Sequence, residues 1–558
     1  MTAWTSRPWA GFDLKRSMEM VSQTEVELKL WVAPGDIAAL RNHPHFAGAL
    51  HHHSRQMLDS IYFDSDDRFL RDHGFNLRVR HIGGKSVQTI KSIDHGVGLF
   101  ERSEWEQTIA GDEPDLAQVS ETALGRLLAD EGGRELKPVF ETRFERSAYH
   151  LDRSGADVVM AIDEGEILAT GSSRPISEIE LELKQGCPAD LFKIAREILD
   201  IVPADLGFKS KSERGYELAA KSADAVEMAS DPELNADMSA GRAFTLVGRA
   251  CLHHLAANAP LIIGRDGTAL HQARVALRRL RAAISLFAAV VADDRTEAIK
   301  TELKWLAREL SPARDLDTLL SEVIGPVRAR NRHEPGLVSI SKSFTRKRLK
   351  SYRQAQEAVR SARFRMMVLD SAEWVEAGPW SSSADVLMRA RREMPVELFA
   401  SEQLSRRYKK IRRRGAKIND LDTAQLHGLR IQVKKARYAT EFFSGLYRGR
   451  KSAKQLRYVK SSLMQLQAYL GRLNDIATHK ALFLDVIDHP AKAGTEEQSR
   501  RRAFAAGLII GDQQAQIEGL LERARKAHSR FERAKKFWKL PNRNSATAAP
   551  VAVAETQP

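Results

Sequence analysis

The chain has 558 residues, of which 43% are hydrophobic and 29% are charged, so it can bury substantial cores and more than one domain is expected. The first 220 residues carry 26 basic and 37 acidic side chains, whereas the rest carry 61 and 36, which gives a net charge of +14 overall. Two cysteines, Cys187 and Cys251, exclude a disulfide framework and lack the neighbours of a structural zinc site. Without an apolar leader or a run of about 20 apolar residues, the sequence predicts a soluble cytoplasmic protein.

Residues 24–218 contain short segments in which charged and apolar residues alternate between Gly, Asp and Asn turns. In the first of them, Glu25, Glu27 and Lys29 share one face of a strand. The alternation recurs in four later segments: Arg78 with Arg80; Arg102, Glu104 and Glu106; Glu178, Glu180, Glu182 and Lys184; and Lys209 with Lys211. Such period-two patterns predict β-strands that pack one face on a core.

The charged strand faces have two interpretations. An open antiparallel sheet would expose them to water. A closed barrel with these faces inward would collect both signs of charge in one cavity, where carboxylates could hold divalent cations and basic groups an anion. Because unpaired charges are unfavourable in an enclosed space, the second interpretation implies a bound metal and a polyanion. No Gly-x-x-x-x-Gly-Lys phosphate loop occurs, so nucleotide binding gains no support.

This region resembles the CYTH family of tunnel-fold phosphohydrolases over about 190 residues. The matching segments occur in the family's order: Glu25-Val-Glu-Leu-Lys29, Tyr62-Phe-Asp64, Leu77-Arg-Val-Arg80, Thr89-Ile-Lys91, Glu104 with Glu106, Ala161-Ile-Asp163, Glu178 through Glu182, and Ser210-Lys211 ahead of Arg214. The resemblance implies an α+β domain with an eight-stranded antiparallel β-barrel tunnel. It also implies that the tunnel binds triphosphate with Mg²⁺ or Mn²⁺, as two ions, and hydrolyses the terminal phosphoanhydride.

The resemblance also implies a role for each matching side chain. Catalytic roles fall to Glu27 and Lys29. The implied metal ligands are Glu25, Glu27, Glu104, Glu106, Asp163, Glu180 and Glu182. The implied phosphate-binding residues, besides Lys29, are Arg78, Arg80, Lys91, Arg143, Lys184, Lys211 and Arg214. Triphosphate carries about four negative charges and Mg²⁺ takes hard oxygen ligands, so the mixed set suits this chemistry. Inorganic triphosphate is preferred, and thiamine triphosphate and nucleoside triphosphates remain alternatives.

Composition predicts the remaining organisation of the chain. Residues 1–21 form an N-terminal extension, and the strand domain occupies residues 22–218. Residues 219–242, rich in Ala, Ser, Asp and Glu, are expected to be a linker. Helical spacing then continues through residues 243–540, and the Ala/Pro/Ser-rich tail at 541–558 is expected to be disordered.

The helical half contains an internal repeat in which matching residues are separated by 156 positions. The pairs are His271 with His427, Arg274 with Arg430, Arg278 with Lys434, and Arg281 with Arg437. In each copy the four lie within an arc of about 80° on one helix. Residues 267–292 and 423–440 contain no Asp or Glu, so neighbouring cations repel and an anion is the expected compensation. The alternative is an ordinary solvated helix face.

These residues, together with Arg314-Asp-Leu-Asp317 and Asn474-Asp475, resemble the CHAD domain, the conserved histidine α-helical domain, over about residues 243–535. The resemblance implies an all-α pair of pseudosymmetric bundles whose facing basic surfaces bind inorganic polyphosphate. The sequence therefore predicts a metal-dependent triphosphatase joined to a polyphosphate-binding module, which would associate the protein with polyphosphate granules. A catalytically weak polyphosphate-binding protein is the main rival. Nucleic-acid binding by the basic runs is the weaker one.

Overall fold

The computed structural model describes residues 23–47, 53–92, 99–119, 122–130, 134–153, 155–222, 225–488 and 495–538. It divides into two compact units, residues 1–225 and 226–558. The expected N-terminal extension and the C-terminal tail both lie outside the described residues.

The first unit is built on one antiparallel sheet of nine strands. Their bounds are β1 (Gln23–Val32), β2 (His53–Asp64), β3 (Phe75–Ile82), β4 (Lys85–Ser92), β5 (Leu99–Ile109), β6 (Lys137–Arg153), β7 (Ala156–Ala169), β8 (Ser172–Gln185) and β9 (Ala204–Leu206). The strand order is β5-β4-β3-β2-β6-β7-β8-β1-β9, and β5 pairs with β1 as well. This extra pairing closes the first eight strands into a barrel, which confirms the predicted eight-stranded antiparallel fold. The short β9 is added beside β1.

In strand β1 the apolar residues face outward, under helices, and the charged residues face the barrel interior. The helices of this unit are α1 (Pro34–Arg41), α2 (Pro44–Ala47), α3 (Phe69–Asp72), α4 (Ala123–Asp130), α5 (Pro188–Ile201) and α6 (Lys211–Ala219). In β1, Leu28 and Leu30 are fully buried, and α5 packs on β1 and β8. The alternate residues, Glu27 and Lys29, line the barrel interior. Strand alternation therefore separates the apolar core from the charged interior.

The second unit is mostly helical. Its helices are α7 (Ala240–Ile263), α8 (Gly267–Leu286), α9 (Ala288–Val291), α10 (Thr296–Thr318), α11 (Gly325–Arg330), α12 (Pro335–Arg360), α13 (Ala362–Ala377), α14 (Pro379–Ser382), α15 (Val386–Glu393), α16 (Val396–Gly415), α17 (Thr423–Phe442), α18 (Arg450–Asp488), α19 (Glu496–Gln514) and α20 (Ile517–Glu532). A π-helical segment, Leu319–Ile324, follows α10 directly.

The sequence repeat maps onto corresponding helices. Helices α8 and α17 carry the repeated His, Arg and Lys residues, and each is followed by a long helix, α10 or α18. Leu306 and Leu310 of α10 are buried, as are their counterparts Leu466 and Leu470 of α18. Helix α8 packs on α7 and α10, helix α17 packs on α16 and α18, and α8 also contacts α17. The two copies of the repeat thus meet through α8 and α17.

The segment expected to be a linker, residues 219–242, includes an ordered strap on the helical unit. Residues 226–238 of this strap contain no helix. Leu234 is nevertheless buried, and the Arg279 guanidinium donates to the carbonyl oxygen of Ser230 at 2.6 Å. These contacts tie the strap to the helices that follow it.

Among the described residues one helix, α7, is long and apolar enough to cross a bilayer. Most of its apolar stretch is buried inside the helical unit, where α7 packs on α8, α12 and α13. Its composition is accounted for by that core position.

Candidate active site and cationic helical face

The inward faces of the barrel strands enclose a cavity of about 210 Å³. Five carboxylates line it: Glu27, Glu104, Glu106, Glu180 and Glu182. Six cations line it with them: Lys29, Arg78, Arg80, Lys91, Arg146 and Lys211. The barrel thus collects most of the residues that the sequence singled out, with both signs of charge facing one enclosed space.

Strand pairing sets the order of charges along one wall. Lys29 lies opposite Glu180 and Glu27 opposite Glu182 in the β1–β8 register. The buried Lys29 ammonium donates to Glu178 at 3.2 Å and also to Glu180. A side chain at Gly207 would place its Cβ only 2.7 Å from Cγ of Lys29, so glycine at this position leaves room for the lysine stem.

Glu178 precedes Glu180 by two residues on β8 and is fully buried. Its carboxylate accepts hydrogen bonds from Lys29, Lys211 and Arg214. Burial alone would raise the pKa of Glu178, but Arg214, Lys211 and Lys29 outweigh burial and lower the pKa to about 2. Glu178 is therefore ionised and fixes the cations around it.

Asp163 does not line the cavity itself but holds two cations that do, Arg146 and Lys211. The Arg146 guanidinium binds both carboxylate oxygens of Asp163, at 2.7 and 2.6 Å, and also reaches Glu180. Lys211 donates to the same carboxylate at 2.6 Å. This bidentate geometry holds Arg146 so that its guanidinium also faces the cavity.

The opposite wall carries an excess of positive charge. Arg78 lies 3.4 Å from Glu104, which also pairs with Lys91 at 2.7 Å. Arg80 donates to the Ser60 hydroxyl at 3.0 Å, and no described carboxylate lies within ion-pairing distance of it. Burial and the neighbouring Arg78 and Arg146 lower the pKa of Arg80 to about 9. An anion in the cavity would relieve this repulsion.

Helix α6 presents its N-terminus to the cavity. Ser210 caps the helix in a capping box with Glu213, which places Lys211 at the first helical position. Five residues further on, the Tyr216 hydroxyl donates to the buried Asp64 carboxylate at 2.9 Å. Asp64 thus serves the structure: it holds the helix that carries Lys211.

In the helical unit, the two cationic helix faces meet. Burial, together with Arg278, Arg430, Arg437 and Arg274, lowers the pKa of Lys434 to about 8. These neighbours come from both α8 and α17, so the two stripes form one surface, here called the cationic stripe. No carboxylate in the described part of the chain lies within ion-pairing distance of Arg278, Arg430 or Lys434.

Other residues of the cationic stripe have partners or are exposed. Arg274 pairs with Asp315 at 2.9 Å, and Arg437 pairs with Glu441 at 2.8 Å. Arg281 is exposed.

The two histidines differ in environment. Burial and the nearby Arg314, Arg278 and Arg274 lower the pKa of His271 to about 4. His427 is exposed, and its Nδ1 lies 2.6 Å from Oδ1 of Asn474.

Comparison with known families agrees with this geometry. The CYTH domain family matches residues 23–216, and the CHAD domain family matches residues 247–484. The chain contains a CYTH domain followed by a CHAD domain. It is 31% identical over 212 residues to the inorganic triphosphatase of Haemophilus influenzae, a match that covers 37% of this chain and 57% of that protein. The chain thus spans little more than half the length of this curated relative.

Two solved structures are also similar. The CHAD domain from the plant Ricinus communis is 28% identical, with 55% of this chain and 96% of that chain covered and a TM-score of 0.46. PptA from Streptomyces chartreusis is 18% identical, with 52% and 100% covered and a TM-score of 0.39.

Two overlapping groups of carboxylates in the CYTH domain offer oxygen ligands for a metal ion. Oxygens of Asp163, Glu178 and Glu180 lie within 4.8 Å of one another. Lysine and arginine side chains already donate to these oxygens, so Asp163 and Glu178, which do not line the cavity, are balanced by the protein, whereas Glu180 also borders the cavity. Glu27 and Glu182 face each other across β1 and β8 and line the cavity beside Glu180. Three carboxylates on one wall form a hard oxygen donor set that fits Mg²⁺ or Mn²⁺.

The prediction for Arg143 is corrected by the structure. Its side chain is 54% exposed on the outer face of the CYTH barrel, 3.5 Å from Asp59. Arg146, an odd number of residues further along β6, lies on the inward face instead. Sequence reasoning missed it because both faces of β6 carry charged residues.

Three further predicted site residues do not line the cavity, and the side chain of a fourth is not among those that the structure describes. Lys184 lies outside the cavity, pairs with Glu182 and is 45% exposed. Asp163 and Arg214 lie behind the cavity lining and hold other charged groups. The side chain of Glu25 falls outside the described part of the chain.

Sequence reasoning gave Glu178 no role of its own. It lies in phase with Glu180 and Glu182 on β8, so strand alternation was the signal that could have found it.

Proposed function

We propose that the CYTH domain is a divalent-metal-dependent triphosphatase that hydrolyses inorganic triphosphate to pyrophosphate and phosphate. The observation that carries this proposal is the enclosed cavity, in which six cations and five carboxylates converge. The identity to an inorganic triphosphatase supports the same reaction. A compact polyanion bound with hard cations would neutralise both sets of charges.

Each wall of the cavity has its own task in this proposal. Arg78, Arg80 and Lys91 on one wall, with Arg146 and Lys211 opposite, bind phosphate oxygens and balance their charge. Glu27, Glu180 and Glu182 would hold the metal, with Glu104 and Glu106 available for a second ion or its waters. A divalent cation held there would polarise the phosphoryl group and help to activate the attacking water. Lys29, fixed by Glu178, directs its charge toward the reacting phosphate.

The test is phosphate release from inorganic triphosphate with Mg²⁺ or Mn²⁺ by the full chain. We expect Arg80→Gln to lower kcat/KM about a hundredfold, because an oriented charge is removed from the reaction site. Arg143→Gln, on the outer face of the same barrel, is the matched control and should keep wild-type activity. Equal activity of the two variants would reject this cavity as the active site.

A second pair of variants examines the carboxylate wall. Glu27→Gln should abolish metal-dependent turnover and weaken Mn²⁺ binding measured by calorimetry without substrate. Glu141→Gln, exposed on the outer face, should alter neither. A substrate panel of triphosphate, thiamine triphosphate, ATP, pyrophosphate and longer polyphosphate decides between the substrates. Faster turnover of thiamine triphosphate or ATP would overturn the choice of inorganic triphosphate.

We infer that the CHAD domain binds inorganic polyphosphate through the cationic stripe. Arg278, Arg430 and Lys434 come together from two helices without a described carboxylate partner, which favours an anionic ligand. Binding of this kind would place the protein on polyphosphate granules in the cytoplasm. Calorimetry with the full chain should show weaker binding for the double variant Arg278→Gln, Lys434→Gln. Competition with single-stranded RNA at matched salt should favour polyphosphate, and preference for RNA would overturn the inference.

A further inference from the structure

A second cationic surface lies on the CHAD domain, on α18 and just beside the end of α20. It is a groove of about 540 Å³, here called the outer groove. Its lining includes five cations and one aromatic residue: Lys454, Arg457, Arg530, Arg533, Lys535 and Tyr458. The lining contains no acidic residue. The charged residues that line the outer groove are therefore all positive, whereas the CYTH cavity is lined by both signs of charge.

The cations of the outer groove have no ion-pair partner among the described residues. Lys454 and Arg457 lie one turn apart on α18, so their charges repel, and residues 450–474 contain no Asp or Glu. At the end of α20 the nearby acidic residue, Glu532, lies 3.8 Å from Nδ1 of His528 and is not within ion-pairing distance of the groove cations. The unbalanced charge favours an anion that spans both helices.

The outer groove is separate from the cationic stripe. On α18, Gln467 faces the stripe, because it accepts a hydrogen bond from Arg437 at 2.8 Å. Tyr458 precedes Gln467 by nine residues, which is two and a half helical turns at about 3.6 residues per turn. The two side chains therefore point to opposite sides of α18, and the groove and the stripe occupy different faces of the helix.

The aromatic ring in the groove is already covered by a cation. The Arg530 guanidinium carbon lies 5.0 Å from the centre of the Tyr458 ring, and the guanidinium also reaches Gln465 at 3.5 Å. Nucleic-acid sites use such rings as platforms for bases, whereas here the ring supports a charge. A chain of phosphates without bases suits this surface best.

We propose that the outer groove is a second binding site for inorganic polyphosphate. A long chain contacts both the cationic stripe and the outer groove, whereas a short chain is satisfied by the stripe alone. The proposal rests on the function inferred for the stripe and extends it: two separate sites make the CHAD domain selective for chain length through effective concentration.

The experiment measures binding of long-chain and short-chain polyphosphate to the full chain across a salt series. The groove variant combines Arg457→Gln, Arg530→Gln and Arg533→Gln. A control variant with the same change in net charge combines Lys300→Gln, Arg363→Gln and Arg500→Gln, which remove cations already paired with glutamates. All six side chains are exposed or partly exposed, so both variants are expected to fold, and circular dichroism verifies this.

We expect the groove variant to bind long chains roughly tenfold more weakly and to reduce the slope of log affinity against log salt by about 2. Short-chain affinity and triphosphate hydrolysis should stay at the wild-type level. A groove variant that binds long chains like the control overturns the proposal. Loss of single-stranded RNA binding without loss of polyphosphate binding overturns the choice of occupant.

The variant Arg278→Gln, Lys434→Gln separates this proposal from the inference on which it rests. If that variant binds like wild type while the groove variant is weakened, the stripe inference fails and the groove is the binding site. If the groove variant is unaffected while the stripe variant is weakened, the groove proposal fails alone. A wild-type chain that binds no polyphosphate overturns both.

Discussion

Glu178→Gln tests whether the buried carboxylate holds the cations of the CYTH cavity in place. The substitution keeps the shape of the side chain but removes the negative charge shared by Lys29, Lys211 and Arg214. A pKa of about 2, against an ordinary value of 4.5, corresponds to about 3 kcal/mol of stability at pH 7. This agrees with the effect of removing one partner from a buried ion pair.

The stabilisation that Glu178 provides depends on pH. Because the pKa of Glu178 is lowered in the folded protein, its contribution is complete above pH 4.5 and is lost as the pH falls toward 2. The stability difference between wild type and Glu178→Gln should therefore be about 3 kcal/mol at pH 7 and less than half of that by pH 3. Glu141→Gln, on a side chain 49% exposed beside Arg143, should change stability by less than about 0.5 kcal/mol.

The assay is urea unfolding, monitored by hydrogen–deuterium exchange in peptides from β1 and β8. These peptides report the stability of the barrel separately from that of the CHAD domain. A loss below about 1 kcal/mol at pH 7, or a loss of equal size at pH 3, would refute the reasoning.

Tyr216→Phe removes the Tyr216 hydroxyl that donates to the buried Asp64 carboxylate. We expect a loss of about 1–2 kcal/mol in barrel stability and a lower kcat/KM with triphosphate. Unchanged values would show that this bond does not position α6. Bound polyanion should raise the pKa of Lys434 from about 8, so calorimetry in two buffers near pH 8 should detect proton uptake, which Lys434→Arg removes while affinity is kept. Persistent uptake in that variant would contradict the assignment. Gly165→Ala places a Cβ 2.5 Å from the Cα of Phe144, so thermal unfolding should show a barrel destabilised by at least about 1–3 kcal/mol; a wild-type Tm would contradict this packing.

Strand β6 shows where sequence reasoning stopped. Glu141, Arg143 and Glu145 alternate on one face, and Arg146 belongs to the other. In an ordinary sheet the charged face would be the solvent face, but in this barrel the interior is charged as well. Charge alone therefore cannot tell the inward face from the outward face, and it is Arg146, rather than the Arg143 implied by the family resemblance, that lines the cavity. The β6–β7 and β2–β6 registers settle this parity.

The depth of a residue along a strand is likewise not fixed by local side-chain spacing. The segment from Glu178 to Glu182 predicts carboxylates on one face of β8, and the structure has them there. Which of them meets buried cations and which meets the open cavity depends on the position of α6. That helix is held by Asp64, more than 140 residues away in the chain.

The local features can be read from the amino-acid sequence: alternating strands in the first half, helical periodicity in the second, the repeat at 156 positions and the two cationic helix faces. These follow from side-chain spacing within short segments, which the chain carries without any partner. Tertiary structure alone decided that β1 pairs with β5 to close the barrel, that Arg146 faces inward, and that Arg278 and Lys434 meet across two helices. Each of these depends on contacts between distant segments, whose register and facing are fixed only when the whole core packs.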